Sequence, residues 1–87
     1  MAKQKVVEKL LGSVARTVKE ERESKELSQT RLAAEAELSN NTAINRIEQQ
    51  EREPTLETIL RISIAMKMRP SELLRKAEDA ADLNFDD

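Results

Sequence analysis

Residues 27–48 read LSQTRLAAEAELSNNTAINRIE, and how this stretch divides decides the fold. Ser28 is a residue type that caps helix N-termini, and Leu32, Ala33 and Ala36 follow it on one helical face. The polar run Ser39-Asn40-Asn41-Thr42 then interrupts the apolar spacing with residues that favour caps and turns. Ile44 and Ile47 lie one turn apart and anchor a second face. The stretch therefore predicts two short helices, 28–36 and 41–50, joined by a few polar residues.

Working outward, Val7, Leu10, Leu11, Val14 and Val18 recur at three- and four-residue steps, which predicts an amphipathic helix from about Lys5 to Lys25. Gly12 lies inside it at a cost of roughly 1 kcal/mol relative to alanine. The helix is expected to start or bend there, leaving 1–11 as an arm or an extension of the first helix. Downstream, Pro54 forces the residue before it out of helical geometry and ends the third segment. Thr55 caps a fourth helix, with Leu56, Ile59, Leu60, Ser63 and Met66 expected to face inward. Pro70 suits the first position of a fifth, whose inward residues are expected to be Leu73, Leu74 and Ala77. No stretch alternates with period two. The expected fold is all-α, a compact five-helix domain over 12–77 containing a helix-turn-helix, with an acidic tail over 78–87.

Composition narrows the chemistry. With 87 residues the chain fits one small domain. It has no cysteine and no histidine, so thiolate nucleophiles, imidazole bases and the usual zinc ligands are all missing. Neither enzyme activity, a metal nor a cofactor is expected. No apolar run approaches the ~18 residues of a membrane span, and the chain is expected to be cytoplasmic. The net charge of -2 is unevenly placed. Residues 78–87 carry five acids and no base, leaving fifteen bases against twelve acids in the body. A mildly basic body permits nucleic-acid binding without arguing for it. One aromatic residue, Phe85, supplies no platform for stacking single-stranded bases, so duplex DNA is the better partner.

An ordered set of short motifs adds to this reading. Leu27-Ser28-Gln29 is followed by Leu32-Ala33, then by Ile44-Asn45-Arg46-Ile47-Glu48. Pro54-Thr55-Leu56 and Ile59-Leu60-Arg61-Ile62 come next, ending at Ser71-Glu72-Leu73-Leu74. Over residues 14 to 75 the chain resembles the lambda-repressor/Cro family of helix-turn-helix regulators, the XRE type. The resemblance implies a structural ion pair between Arg22, seven residues before Gln29, and Glu48 at the end of helix 3. It also departs from the family. The spacing from Gln29 to Ile44 is one residue longer, which places an insertion around Glu37–Asn41. The family favours glycine where this chain has Glu26, Glu37 or Leu38, and Lys67. A non-glycine residue in a left-handed cap costs about 1 kcal/mol, so these links are expected to close differently.

The resemblance implies that helix 3 enters the major groove. With Ile44 turned inward, Asn41, Thr42 and Arg46 are expected on the exposed face, with Asn45 as a further contact in the rotated register of a longer turn. Asparagine suits adenine, arginine suits guanine, and threonine can touch a thymine methyl. For Asn40, Asn41 and Thr42 the plain alternative is helix capping, with Asn40 the expected cap. The resemblance gives Gln29 the role of holding a phosphate and bracing the readout residues. Gln49, Gln50 and Arg52 are expected to touch the DNA backbone, and Lys3, Lys5 and Lys9 could lie along it as an arm. A homodimer is expected, because one recognition helix covers few base pairs. Ile64, Ala81, Leu83 and Phe85 are its candidate contacts, being apolar residues with no evident core role. The function implied is a small transcriptional regulator, most readily a repressor. The alternative is an antitoxin or other protein-interaction module on the same fold, binding its partner through the C-terminal region.

Overall fold

The computed structural model describes residues 2–83. Five helices follow in order: α1 Lys3–Ser24, α2 Gln29–Glu35, α3 Thr42–Glu48, α4 Leu56–Ala65 and α5 Pro70–Ala81. No strand occurs among the described residues.

Local chemistry sets the helix boundaries. The Ser28 hydroxyl accepts from the Arg31 N–H at 3.0 Å and starts α2. The Thr55 hydroxyl accepts from the Thr58 N–H at 3.1 Å and starts α4. Before Pro70, the Glu72 carboxylate reaches back to accept from the Arg69 N–H at 3.0 Å. Each contact satisfies a donor that the first turn of a helix leaves without a backbone acceptor.

One core joins all five helices. Val14 and Val18 of α1 meet Leu32 and Ala33 of α2, Ile44 and Ile47 of α3, Ile59, Ile62 and Met66 from α4, and Leu73 and Ala77 of α5. The longest helix, α1, lies against α5. There the buried Ser13 hydroxyl donates to the Ala77 carbonyl at 2.6 Å, so the small side chain binds backbone where the two helices press together.

Several expectations need correction. α1 runs unbroken through Gly12 from Lys3 to Ser24, so the helix does not start there. Gly12 is buried, and a Cβ there would stand 3.2 Å from the Gln50 amide oxygen, so its lack of a side chain admits Gln50. The inward stripe of α4 is Ile59, Ile62, Ser63 and Met66, whereas Leu56 is 70% exposed and Leu60 38%. Leu74 of α5 is also exposed. A ten-residue helix at the edge of a small domain buries a single stripe, and packing against α2 and α5 sets where that stripe falls. The acidic segment expected from residue 78 is helical through Ala81, which is buried in α5 and so is no candidate for a dimer contact.

The links expected to close without left-handed residues use them. Glu26, Glu37, Gln50 and Lys67 adopt φ of 57°, 59°, 62° and 59°. In each case the next residue's N–H returns to a carbonyl in the last turn: Leu27 to Arg22, Leu38 to Ala33, Glu51 to Arg46 and Met68 to Ser63, at 2.9–3.0 Å. Leu27 and Leu38 pack against the core and Met68 is part of it. Seating an apolar residue after the turn thus offsets the strain of a side chain in the left-handed region. Glu37→Gly and Lys67→Gly are each expected to raise stability by about 0.5–1 kcal/mol. Urea unfolding measures this, and a decrease in midpoint for both would contradict the strain.

A second expectation concerns acid stability. Glu21 accepts from Lys76 of α5 and from Lys25, the latter at 3.0 Å. The Lys76 hydrogen bond, then that of Lys25, holds the Glu21 carboxyl below its ordinary value of 4.5. A carboxylate whose pKa is lower in the folded state stabilises the fold above its unfolded value and loses that contribution as pH falls through the folded one. Melting temperature is therefore expected to drop below about pH 4.5, and Glu21→Gln to drop less steeply. Parallel curves for the two proteins would remove Glu21 as a cause.

Candidate nucleic-acid interface

α3 carries the site. Ile44 is fully buried and Ile47 is 2% exposed, so the helix turns this side to the core. Thr42, Asn45, Arg46 and Gln49 lie on the opposite, exposed side. Buried apolar positions at this spacing force polar ones outward, because side chains three and four apart share a face.

At the end of α3 the Glu48 side chain is only 2% exposed yet ionisable, which requires partners. Arg22 of α1 provides them, donating from Nε to Oε2 at 2.7 Å and from Nη2 to Oε1 at 3.1 Å. The hydrogen bond to Glu48 raises the Arg22 pKa above its ordinary value, against the opposing effect of burial. Arg22 Nη1 also donates to the Leu27 carbonyl at 2.8 Å, so one guanidinium ties α3 to α1 and to the turn before α2. A planar, forked donor of this kind fixes direction as well as distance.

Gln29 completes the assembly from α2. Its amide nitrogen donates to Glu48 Oε1 at 3.1 Å and to Asn45 Oδ1 at 3.3 Å. Asn45 is thereby held by its oxygen, leaving its amide N–H2 as donor on the exposed side. Such a donor matches the N7 and O6 acceptors of a purine edge. The series Arg22–Glu48–Gln29–Asn45 runs from a buried charge to an exposed amide.

The other predicted residues separate into groups. Asn40 Oδ1 accepts from the Thr42 N–H at 2.9 Å, so this side chain is engaged at the start of α3. Asn41 is exposed, with no side-chain capping bond. Arg46 is exposed and forms none of the ion pairs found among the described residues. Gln50 and Arg52 lie apart from this face, lining a cleft with Glu8, Gly12 and Pro54 between α1 and the link that follows α3. Ile64 is 67% exposed on α4, Leu83 is half-buried, and Phe85 lies outside the described residues.

Two neighbours escaped the sequence reading. Arg16 places a guanidinium nitrogen 3.8 Å from where a Gly12 Cβ would stand, beside the Gln50 amide. The Leu27 carbonyl is the third partner of Arg22. The first had a usable signal, since Arg16 follows Gly12 by one turn of a continuous helix. The second had none, because it depends on how the turn closes.

Among the described residues no group of potential metal ligands converges, and no helix is long and apolar enough to cross a membrane. The helix-turn-helix family model matches residues 18–73, from the middle of α1 into α5 and across the whole interface. No curated protein and no solved structure matches the chain.

Proposed function

Because the chain belongs to the helix-turn-helix family of the lambda-repressor (XRE) type, we propose that it is a sequence-specific regulator that lays α3 in the major groove of duplex DNA. The observation that carries this reading is the division of one seven-residue helix. Ile44, Ile47 and Glu48 are buried, while Thr42, Asn45 and Arg46 are exposed. A helix held on one side by core and ion pair presents its polar side rigidly, which is what reading base edges requires.

Thr42, Asn45 and Arg46 read bases, with Asn41 and Gln49 at the two ends of the helix. Asn40 orients the first turn of α3, and Gln29 braces Asn45. Gln50 and Arg52, beyond the end of α3 and off its exposed face, are assigned to backbone phosphates in this reading and not to base edges. Two copies bind half-sites about one helical turn, ~34 Å, apart. Sitting over a promoter, such a pair represses transcription by occupying the site, and it acts in the cytoplasm, where the chromosome is.

The alternative reading, a protein-interaction module, draws on the end of α5, where Arg75, Glu78, Asp79, Asp82 and Leu83 line one shallow depression. Selection of bound duplexes from a random pool, followed by titration against salt, separates the two. Enrichment of one inverted repeat, with affinity that falls steeply as salt rises, is expected. Recovery of unrelated duplexes with equal affinity would sink the DNA reading.

A further inference from the structure

Arg22, Glu48, Gln29 and Asn45 form a series of hydrogen bonds that can run in one direction only. A guanidinium only donates and a carboxylate only accepts, so the first two members leave no choice. A side-chain amide can turn either end to a neighbour, and its neighbours decide which. Facing Glu48 Oε1 at 3.1 Å, Gln29 has to present Nε2, because its oxygen would there meet another acceptor. The second hydrogen on that nitrogen goes to Asn45, 3.3 Å away, which has to answer with Oδ1. Turning Asn45 round would set two donors against each other. The permanent charge of Arg22, buried in α1, thus fixes the direction of an exposed amide on α3.

That direction matters to a base pair. An asparagine free to turn suits adenine, donating to N7 and accepting from N6 along one edge of its amide. Reading adenine in this way needs both ends of the amide turned to the base. Here the Gln29 bond holds the oxygen end toward α2, and two amide hydrogens are what Asn45 has left to offer. Guanine presents two acceptors in the major groove, N7 and O6, whereas adenine has a donor in place of O6. The same pair of hydrogens is therefore satisfied by one purine and opposed by the other.

We infer that Gln29 is a positioning residue that sets base preference: through Asn45 it makes α3 accept guanine and reject adenine at the base pair that Asn45 faces. The inference rests on the reading of α3 as the DNA-reading helix, and it reverses the adenine preference expected of an unconstrained asparagine. Gln29 need not touch that base to decide it.

Placing each of the four base pairs in turn at every position of the half-site recovered by selection tests it. The duplexes are titrated with the parent, Asn45→Ala and Gln29→Met. Asn45→Ala identifies the position, as the one where the four affinities draw level. There the parent is expected to bind guanine roughly tenfold more tightly than adenine. Inosine is expected to bind like guanine, since it keeps N7 and O6 and lacks only the minor-groove amine. Gln29→Met is expected to close or reverse the gap at this position alone, because Asn45 can then turn, while the ranking elsewhere holds. Loss of a glutamine that only supports the fold or holds a phosphate would weaken all duplexes alike and leave the gap intact. In the free parent, the side-chain amide hydrogens of Gln29 are expected to exchange with water more slowly than those of Asn45, a measurement that needs neither DNA nor a variant. A parent that prefers adenine at the identified position, a Gln29→Met protein that keeps the full gap, an Asn45→Ala protein that levels no position, or Asn45 hydrogens as protected as those of Gln29 would each overturn the inference. Any of these beside an enriched duplex leaves the DNA reading standing. Absence of any enriched duplex removes that reading, and the base preference with it.

Discussion

Replacing Arg22 with alanine is expected to cost about 3–5 kcal/mol of folding stability, the range for removing one member of a buried ion pair. The reason lies in what remains. The Glu48 carboxylate, 2% exposed, loses both guanidinium bonds and keeps only the Gln29 amide as donor. The Leu27 carbonyl loses its guanidinium donor as well. Small domains have roughly 5–15 kcal/mol of stability in total, so the variant should be partly unfolded well below the parent's melting temperature. The pair itself adds much less than this, because desolvating both charges offsets most of their attraction. Arg22→Met combined with Glu48→Leu is therefore expected to recover most of the loss. The double variant should fold and yet read DNA poorly, since Gln29 no longer has Glu48 to hold it over Asn45. Urea unfolding and duplex binding on the same three proteins check both halves. A loss under about 1 kcal/mol for Arg22→Ala would mean that water reaches Glu48 and that the pair behaves as a surface one.

Arg46→Ala should leave stability unchanged and cost about 1–3 kcal/mol of binding at the best site. Arg46 is exposed, on the side of α3 away from Ile44 and Ile47, and forms no ion pair among the described residues that its loss would break. Its effect must then appear in the complex. If it reads guanine, the preference at one base position should flatten while the others keep their ranking. The salt slope distinguishes the other role, because a lost phosphate contact weakens all duplexes alike and lowers the slope by about 1. Asn45→Ala offers a comparison, since Asn45 is fixed by Gln29 whereas Arg46 is free to choose its rotamer.

These expectations rest on features of unequal legibility. The apolar spacing of Ile44 and Ile47 told which side of α3 is inside, because no other arrangement buries both. Ser28 and Thr55 announced two helix starts through their hydroxyls, and Pro54 announced a stop. Leu56 and Leu60 of α4 were expected to face inward and do not, since Leu56, Ile59, Leu60, Ile62 and Ile64 spread around most of the helix and define no single apolar side. Where apolar residues lie on several sides, periodicity cannot say which side is covered, and contact with α2 and α5 decides. Gly12 was misread for a related reason. A glycine in a helix marks weakness only when nothing occupies the space above it, and Gln50 arrives there from a distant part of the chain.

What the amino-acid order determined alone was local: where helices begin and end, and which residues of α3 could not be left in water. Hydrogen bonds within one turn and apolar spacing along one helix operate at short sequence separation, so they can be read in a string. What the tertiary structure decided were meetings across the chain that the sequence did not announce, Gln29 with Asn45, Arg22 with the Leu27 carbonyl and Gln50 over Gly12, together with the left-handed turns at Glu26, Glu37 and Lys67. Those turns strain a single residue in order to seat the next one in a core assembled from all five helices, and that balance exists only once the core has formed.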